Sequence, residues 1–114
     1  MDKLLSFWTE CLQLKDWTIK LTTDVYEMPS DDGSCGYVQY SEAGKAAHIY
    51  IAHPAIYGDR VVPFDPEKTL VHELLHIKMC LLDFQEENLQ SRVLHQIIDD
   101  LAKALVRARM ETLD

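Results

Sequence analysis

The sequence predicts an α+β fold: an N-terminal helix, a small three-stranded and mostly antiparallel sheet, a buried central helix and a long C-terminal helix. Three observations carry that prediction. Apolar residues recur at helical spacing near the N-terminus and throughout the last 50 residues. Three short stretches between them alternate apolar with polar side chains. Clusters of Pro, Gly, Ser and Asp separate the stretches. A chain of 114 residues suits one domain, 1–114, with a real core and no room for a second lobe.

Residues 2–14 set Leu4, Leu5, Trp8, Cys11 and Leu12 at helical spacing, an amphipathic helix suited to covering a sheet. Trp17, Ile19 and Leu21 then alternate with Thr18, Lys20 and Thr22, the period of a half-buried strand. The turn formers of 28–36 predict an exposed loop between antiparallel strands, and 37–41 a second strand. A turn at 43–45 leads to a third strand at 46–52, with Ala47, Ile49 and Ile51 on one side and His48 and Tyr50 on the other; His53 and Pro54 end it. Residues 55–64 show no period and read as an ordered loop.

Asp65 as cap, Pro66 at the first helical position and Glu67 in the positive first turn open a helix over 65–82 that is apolar almost all round. Asp83 and Glu86 have capping-box spacing, and a long helix follows to about residue 110. Leu94, Ile98, Leu101 and Leu105 form its expected main stripe. A second stripe of His95, Asp99, Ala102 and Val106 runs alongside, and its apolar end predicts burial of its polar end.

Composition excludes several classes. No apolar run reaches the ~20 residues of a membrane span, and the N-terminus lacks a signal-peptide pattern, which predicts a cytoplasmic protein. A net charge of −8 argues against nucleic acid and anionic lipid as partners. The locally basic Lys103, Arg107 and Arg109 read as a solvated helix face. Cys11, Cys35 and Cys80 have no paired spacing and read as reduced thiols. Nothing in the sequence sets the oligomeric state.

The chemistry concentrates at HELLH, residues 72–76. Positions i and i+4 of a helix share a face, so His72 and His76 can point at one ion, and zinc fits the pair. Glu73 lies about 100° further round, placed to reach a water on the metal as general base rather than to ligate. Catalytic zinc takes three protein ligands. His95 is the choice for the third, because an antiparallel helix pair joined at 82–84 brings it to a level near His76; Asp99, one turn on, would orient a ligating imidazole through its outer nitrogen. Asp83, Glu86, Glu87, His48 and His53 are the competing donors.

The HELLH helix and the helix after it resemble the zincin metallopeptidases. His95-x-x-x-Asp99 is similar to the gluzincin pattern, in which a downstream helix gives a glutamate ligand and, four residues later, a supporting aspartate. The fit is closest to very short zincin-like proteins, including minigluzincins and proteins of phage or prophage origin. This resemblance implies a small domain with an open cleft, zinc as cofactor, and a peptide or protein substrate whose bond is hydrolysed by activated water with Glu73 as base. In this chain His95 replaces the glutamate, leaving the site one charge more positive, and the metzincin spacing after His76 is absent. Were the strand 46–52 an edge, an extended substrate could pair with it, a placement the zincin likeness favours; oxyanion stabilisation needs a further donor, for which Tyr50 and Tyr57 are the candidates. The rival expectations are a metal-binding module without turnover, acting in regulation or through a partner, and a helical interaction protein without metal.

Overall fold

The computed structural model describes residues 1–29, 33–58, 63–80 and 88–112. Its elements are α1 (Asp2–Cys11), β1 (Thr18–Val25), β2 (Gly36–Ser41), β3 (Ala46–Ala52), α2 (Pro54–Tyr57), α3 (Pro66–Lys78) and α4 (Leu89–Thr112), an α+β arrangement. No helix among the described residues is long and apolar enough to cross a membrane.

The sheet is mixed, in the order β1-β3-β2. β3 runs antiparallel to β2 through the short turn before Ala46 and parallel to β1, with Ile19 beside Ala47 and Leu21 beside Ile49. One expectation is overturned and one condition is not met. The sheet holds one pair of each kind rather than being mostly antiparallel, and 46–52 is the central strand, not an edge. The physical reason is burial: Ala47, Ile49, Ile51 and Ala52 are all buried, and flanking strands on both sides give this most apolar strand its cover. His48 and Tyr50 point to the opposite face, as the alternation predicts, with His48 Nε2 2.7 Å from Thr22 Oγ1.

Helix α3 lies on the inner face of the sheet, against β2 and β3, and α4 packs on α3. Leu70, Val71, Leu74, Leu75 and Ile77 of α3 form the centre of the core with Ile98, Ala102 and Val106 of α4. The expected main stripe of α4 is therefore displaced. Ile98 is buried, Leu94 and Leu105 are half-buried and Leu101 is exposed, because the helix is turned so that Ala102 and Val106 meet α3. The small side chain of Ala102 lets the two backbones approach.

The helix ends follow from local chemistry. Asp65 Oδ1 accepts from the Lys68 N–H (3.1 Å), and Pro66 follows as the first helical residue. The expected 83/86 capping box and the 82–84 joint lie outside the described residues. Asn88 and Ser91 instead cap α4 reciprocally, Asn88 Oδ1 accepting from the Ser91 N–H (2.9 Å) and Ser91 Oγ from the Asn88 N–H (3.0 Å). The stretch after β3 contains the short helix α2, where His53 Nδ1 accepts from the Ala55 N–H (3.0 Å). Helix α1 is shorter than predicted, ending at Cys11 before Gln13 takes φ 57, and it packs chiefly on α3. Cys11 is exposed.

A polar junction ties α1, α3 and α4 together. Glu67, buried in the first turn of α3, accepts from the Trp8 indole N–H (2.9 Å) and from the Arg109 guanidinium, whose Nη2 lies 2.6 Å from Oε1. Burial raises the Glu67 pKa, but hydrogen bonds from Arg109 and Trp8 outweigh it and hold the carboxyl below its usual value. Of the three basic residues expected on a solvated face, Lys103 and Arg107 are exposed, Arg107 paired at the surface with Glu111. Lys103 pairs with Asp99, and Arg109 is the bidentate clamp on Glu67. Removing the clamp leaves a buried carboxylate with one donor. Arg109→Ala is expected to lower the melting temperature by roughly 5–10 °C in circular dichroism, and Arg107→Ala by less than about 2 °C.

Candidate metal centre

Helical spacing puts His72 and His76 on the side of α3 that meets α4. Their Nε2 atoms are 3.2 Å apart and their ring centroids 5.0 Å. His95 completes the group from α4, its ring centroid 4.8 Å from that of His72 and 5.2 Å from that of His76. One nitrogen from each ring falls within 4.8 Å of the others. The separation is chemically informative, because two nitrogens at about 2.0–2.1 Å from a tetrahedral ion stand roughly 3.3 Å apart. His72 and His76 are already near that value, and a modest rotamer adjustment of the exposed His95 would bring its ring in. Three imidazoles fit zinc and equally suit other late transition ions.

Asp99 sits behind this group. Its Oδ1 lies 3.3 Å from His72 Nδ1 and 2.8 Å from Lys68 Nζ, and its Oδ2 lies 3.0 Å from Lys103 Nζ. Burial raises the Asp99 pKa, yet the two ammonium groups outweigh it and hold the carboxyl well below the usual range. The carboxylate thus faces His72 Nδ1 while Nε2 of the same ring is turned to His76, the arrangement that fixes a ligating tautomer. Burial first, and then the neighbouring His76 and His95, push the His72 pKa down to about 4. The ring is neutral at neutral pH, as a ligand must be. Lys103 stands four after Asp99 on α4, a spacing that displays the pair in the sequence, whereas Lys68 reaches Asp99 across from α3 and only the packing of the two helices shows it.

Glu73 is only 6% exposed, and its carboxylate lies against Gly36 of the sheet. Strand β2 crosses directly over it. A Cβ on Gly36 would stand 3.0 Å from Glu73 Oε2 and 2.5 Å from Thr69 Cγ2, so glycine is what permits this approach. A cleft of about 400 Å³ opens there, lined by Gly36, Tyr37, Val38 and Tyr40 of β2 together with His72, Glu73, His76 and His95. β2 is an edge strand. Since the Cys35 carbonyl accepts from the Ala52 N–H (2.9 Å), antiparallel alternation turns the N–H and C=O groups of Gly36 and Val38 away from β3.

Other expected participants lie elsewhere. The Tyr50 ring stacks on His48 at 4.0 Å, and Tyr57 packs on Phe64 at 5.3 Å beside a neighbouring cavity of about 550 Å³. Tyr37 and Tyr40 are the tyrosines that line the cleft. His48 bonds Thr22 and His53 caps α2, so neither joins the three-histidine group. Asp83, Glu86 and Glu87 lie outside the described residues. Comparison with protein-family models, with curated proteins and with solved structures finds no match.

The depressed His72 pKa fixes a sign. Between pH 6.5 and 4 the unfolded chain binds a proton at this residue and the folded chain does not, so metal-free protein loses stability as pH falls through that window. The loss is expected to be about 2–3 kcal/mol in urea titrations, and His72→Asn should flatten the slope. Gly36→Ala should cost about 1–3 kcal/mol in the same titrations, because β2 must lift off Thr69 and Glu73.

Proposed function

We propose that this chain is a zinc-dependent peptidase in which His72, His76 and His95 hold the metal and Glu73 is the general base. The observation carrying the reading is the convergence of three imidazoles from two helices beside a buried glutamate, in a cleft roofed by an edge strand. The likeness of the HELLH helix and of His95-x-x-x-Asp99 to zincin metallopeptidases points the same way. A bound zinc ion would supply Lewis acidity, bringing the pKa of a water toward ~7 and polarising a carbonyl.

The protein's own groups do the rest. Asp99 orients His72 and keeps Nε2 unprotonated toward the cleft. Glu73 takes the proton of the attacking water on its carboxylate and delivers it to the leaving amine. An extended peptide finds hydrogen-bond partners along the free side of β2, beginning at Gly36, which is also the residue over Glu73. The donor edge is β2 in this reading, since β3 is enclosed. The scissile carbonyl and the base are brought into register by one strand.

A second reading is a metal-binding module without turnover, acting in regulation or through a partner. The exposure of His95 favours it, since a ligand at the cleft mouth leaves little wall to position a substrate. Both readings predict about one zinc per chain in protein purified without added metal, falling to near zero in His72→Ala and His95→Ala. They part on Glu73→Gln. In the peptidase this variant keeps its zinc while peptide-library hydrolysis drops by about 10²–10⁴. Equal cleavage by the two proteins would remove the peptidase, and absence of metal from wild type would remove both.

A further inference from the structure

Helix α4 carries an apolar ridge that the rest of the described chain leaves open. Leu89, Val93, Ile97 and Leu101 follow one another every four residues and are 71%, 49%, 47% and 38% exposed. At 100° per residue Ile97 and Leu101 stand about 100° round the helix from Ile98 and Ala102, which pack on α3. The row leaves the core margin at Leu105, which packs against the cluster, and grows more exposed toward Leu89. Single exposed apolar residues are ordinary, but four large ones in an unbroken row on one helix are not.

The edge of this ridge has a charge pattern of its own. One position before Val93, Ile97 and Leu101 stand Arg92, Gln96 and Asp100: a cation, an amide and an anion in order. Such an edge complements itself when reversed. A twofold axis passing between Val93 and Ile97 sets Arg92 of one copy against Asp100 of the other, and does so twice. It brings the two Gln96 side chains together, lays Val93 on Ile97, and lays Leu89 on Leu101. The helix also suits self-contact in its overall charge, with four basic and three acidic side chains in 89–112 on a chain of net −8.

We infer that this ridge is a self-association surface, through which two copies of the chain pair antiparallel about a twofold axis. Ridges of i, i+4 spacing cross at about −50°, so the contact is short and buries less than about 1,200 Å² in total, the size of a weak, reversible interface. Half-dimerisation is expected at roughly 100 µM. His95 and Asp99 lie on the other side of α4, so the cleft stays open in both copies, and the inference stands apart from the peptidase reading.

Sedimentation velocity of the full chain from about 10 to 500 µM tests this. Wild type should shift from monomer to dimer mass, and Ile97→Asp, a change at an exposed position, should remain monomeric with an unaltered circular dichroism spectrum. Arg92→Glu and Asp100→Lys should each dimerise at least about fivefold more weakly alone. Their equimolar mixture should regain wild-type association, because only a reversed pairing brings each altered charge against an opposite one. A wild type that stays monomeric throughout, an Ile97→Asp protein that still dimerises, or a mixture no tighter than its separate components would each overturn the inference.

Discussion

The contact of α4 with α3 through Ile98, Ala102 and Val106 is the constraint on which the rest of the molecule depends. Those residues recur every four positions, so they set the rotation of α4 as well as its distance. Once they face α3, His95 and Asp99 are carried onto the same side, opposite His72 and Lys68. The imidazole group is thus a by-product of apolar packing. Its members need no contact of their own to find one another, and burial of Ile98 and Ala102 contributes the free energy that holds them together.

That interface also concentrates charge. At one end Glu67 is clamped by Arg109 and Trp8, and along the cleft side Asp99 is held between Lys68 and Lys103 beside His72. Each carboxylate is desolvated, and each is kept ionised by donors from another element as well as by its own surroundings. Such pairs specify one mutual register of the helices, because a slip by one turn would strand both anions. The second cluster has a chemical consequence as well. An aspartate tied to two ammonium groups cannot swing away from His72 Nδ1 without breaking both pairs, so the imidazole is held in one orientation.

The sheet contributes by proximity. β3 takes the centre because it has most apolar surface to hide, which leaves β2 at the edge and directly over the first part of α3. Gly36 lets that edge descend onto Thr69 and Glu73. The same close approach buries the glutamate and puts the outer edge of the strand at the cleft. Burial of Glu73 and the opening of the strand edge onto the cleft therefore share one cause.

Local pattern was enough to identify the three strands, the start of α3 at Asp65 and Pro66, the buried face of β3, and the three histidines with Asp99 as residues worth bringing together. Those features depend on spacing along one segment, which a sequence displays directly. Strand order, the central place of β3, the rotation of α4 away from Leu101, the clamp of Arg109 on Glu67 and the seating of Gly36 over Glu73 were decided only in three dimensions. Alternation says which side of a strand is apolar but not which strands flank it, and a basic residue near a helix end looks alike whether it meets water or a glutamate 42 positions away. Such choices are settled by competition among segments for the same buried surface, and no single stretch of sequence contains that competition.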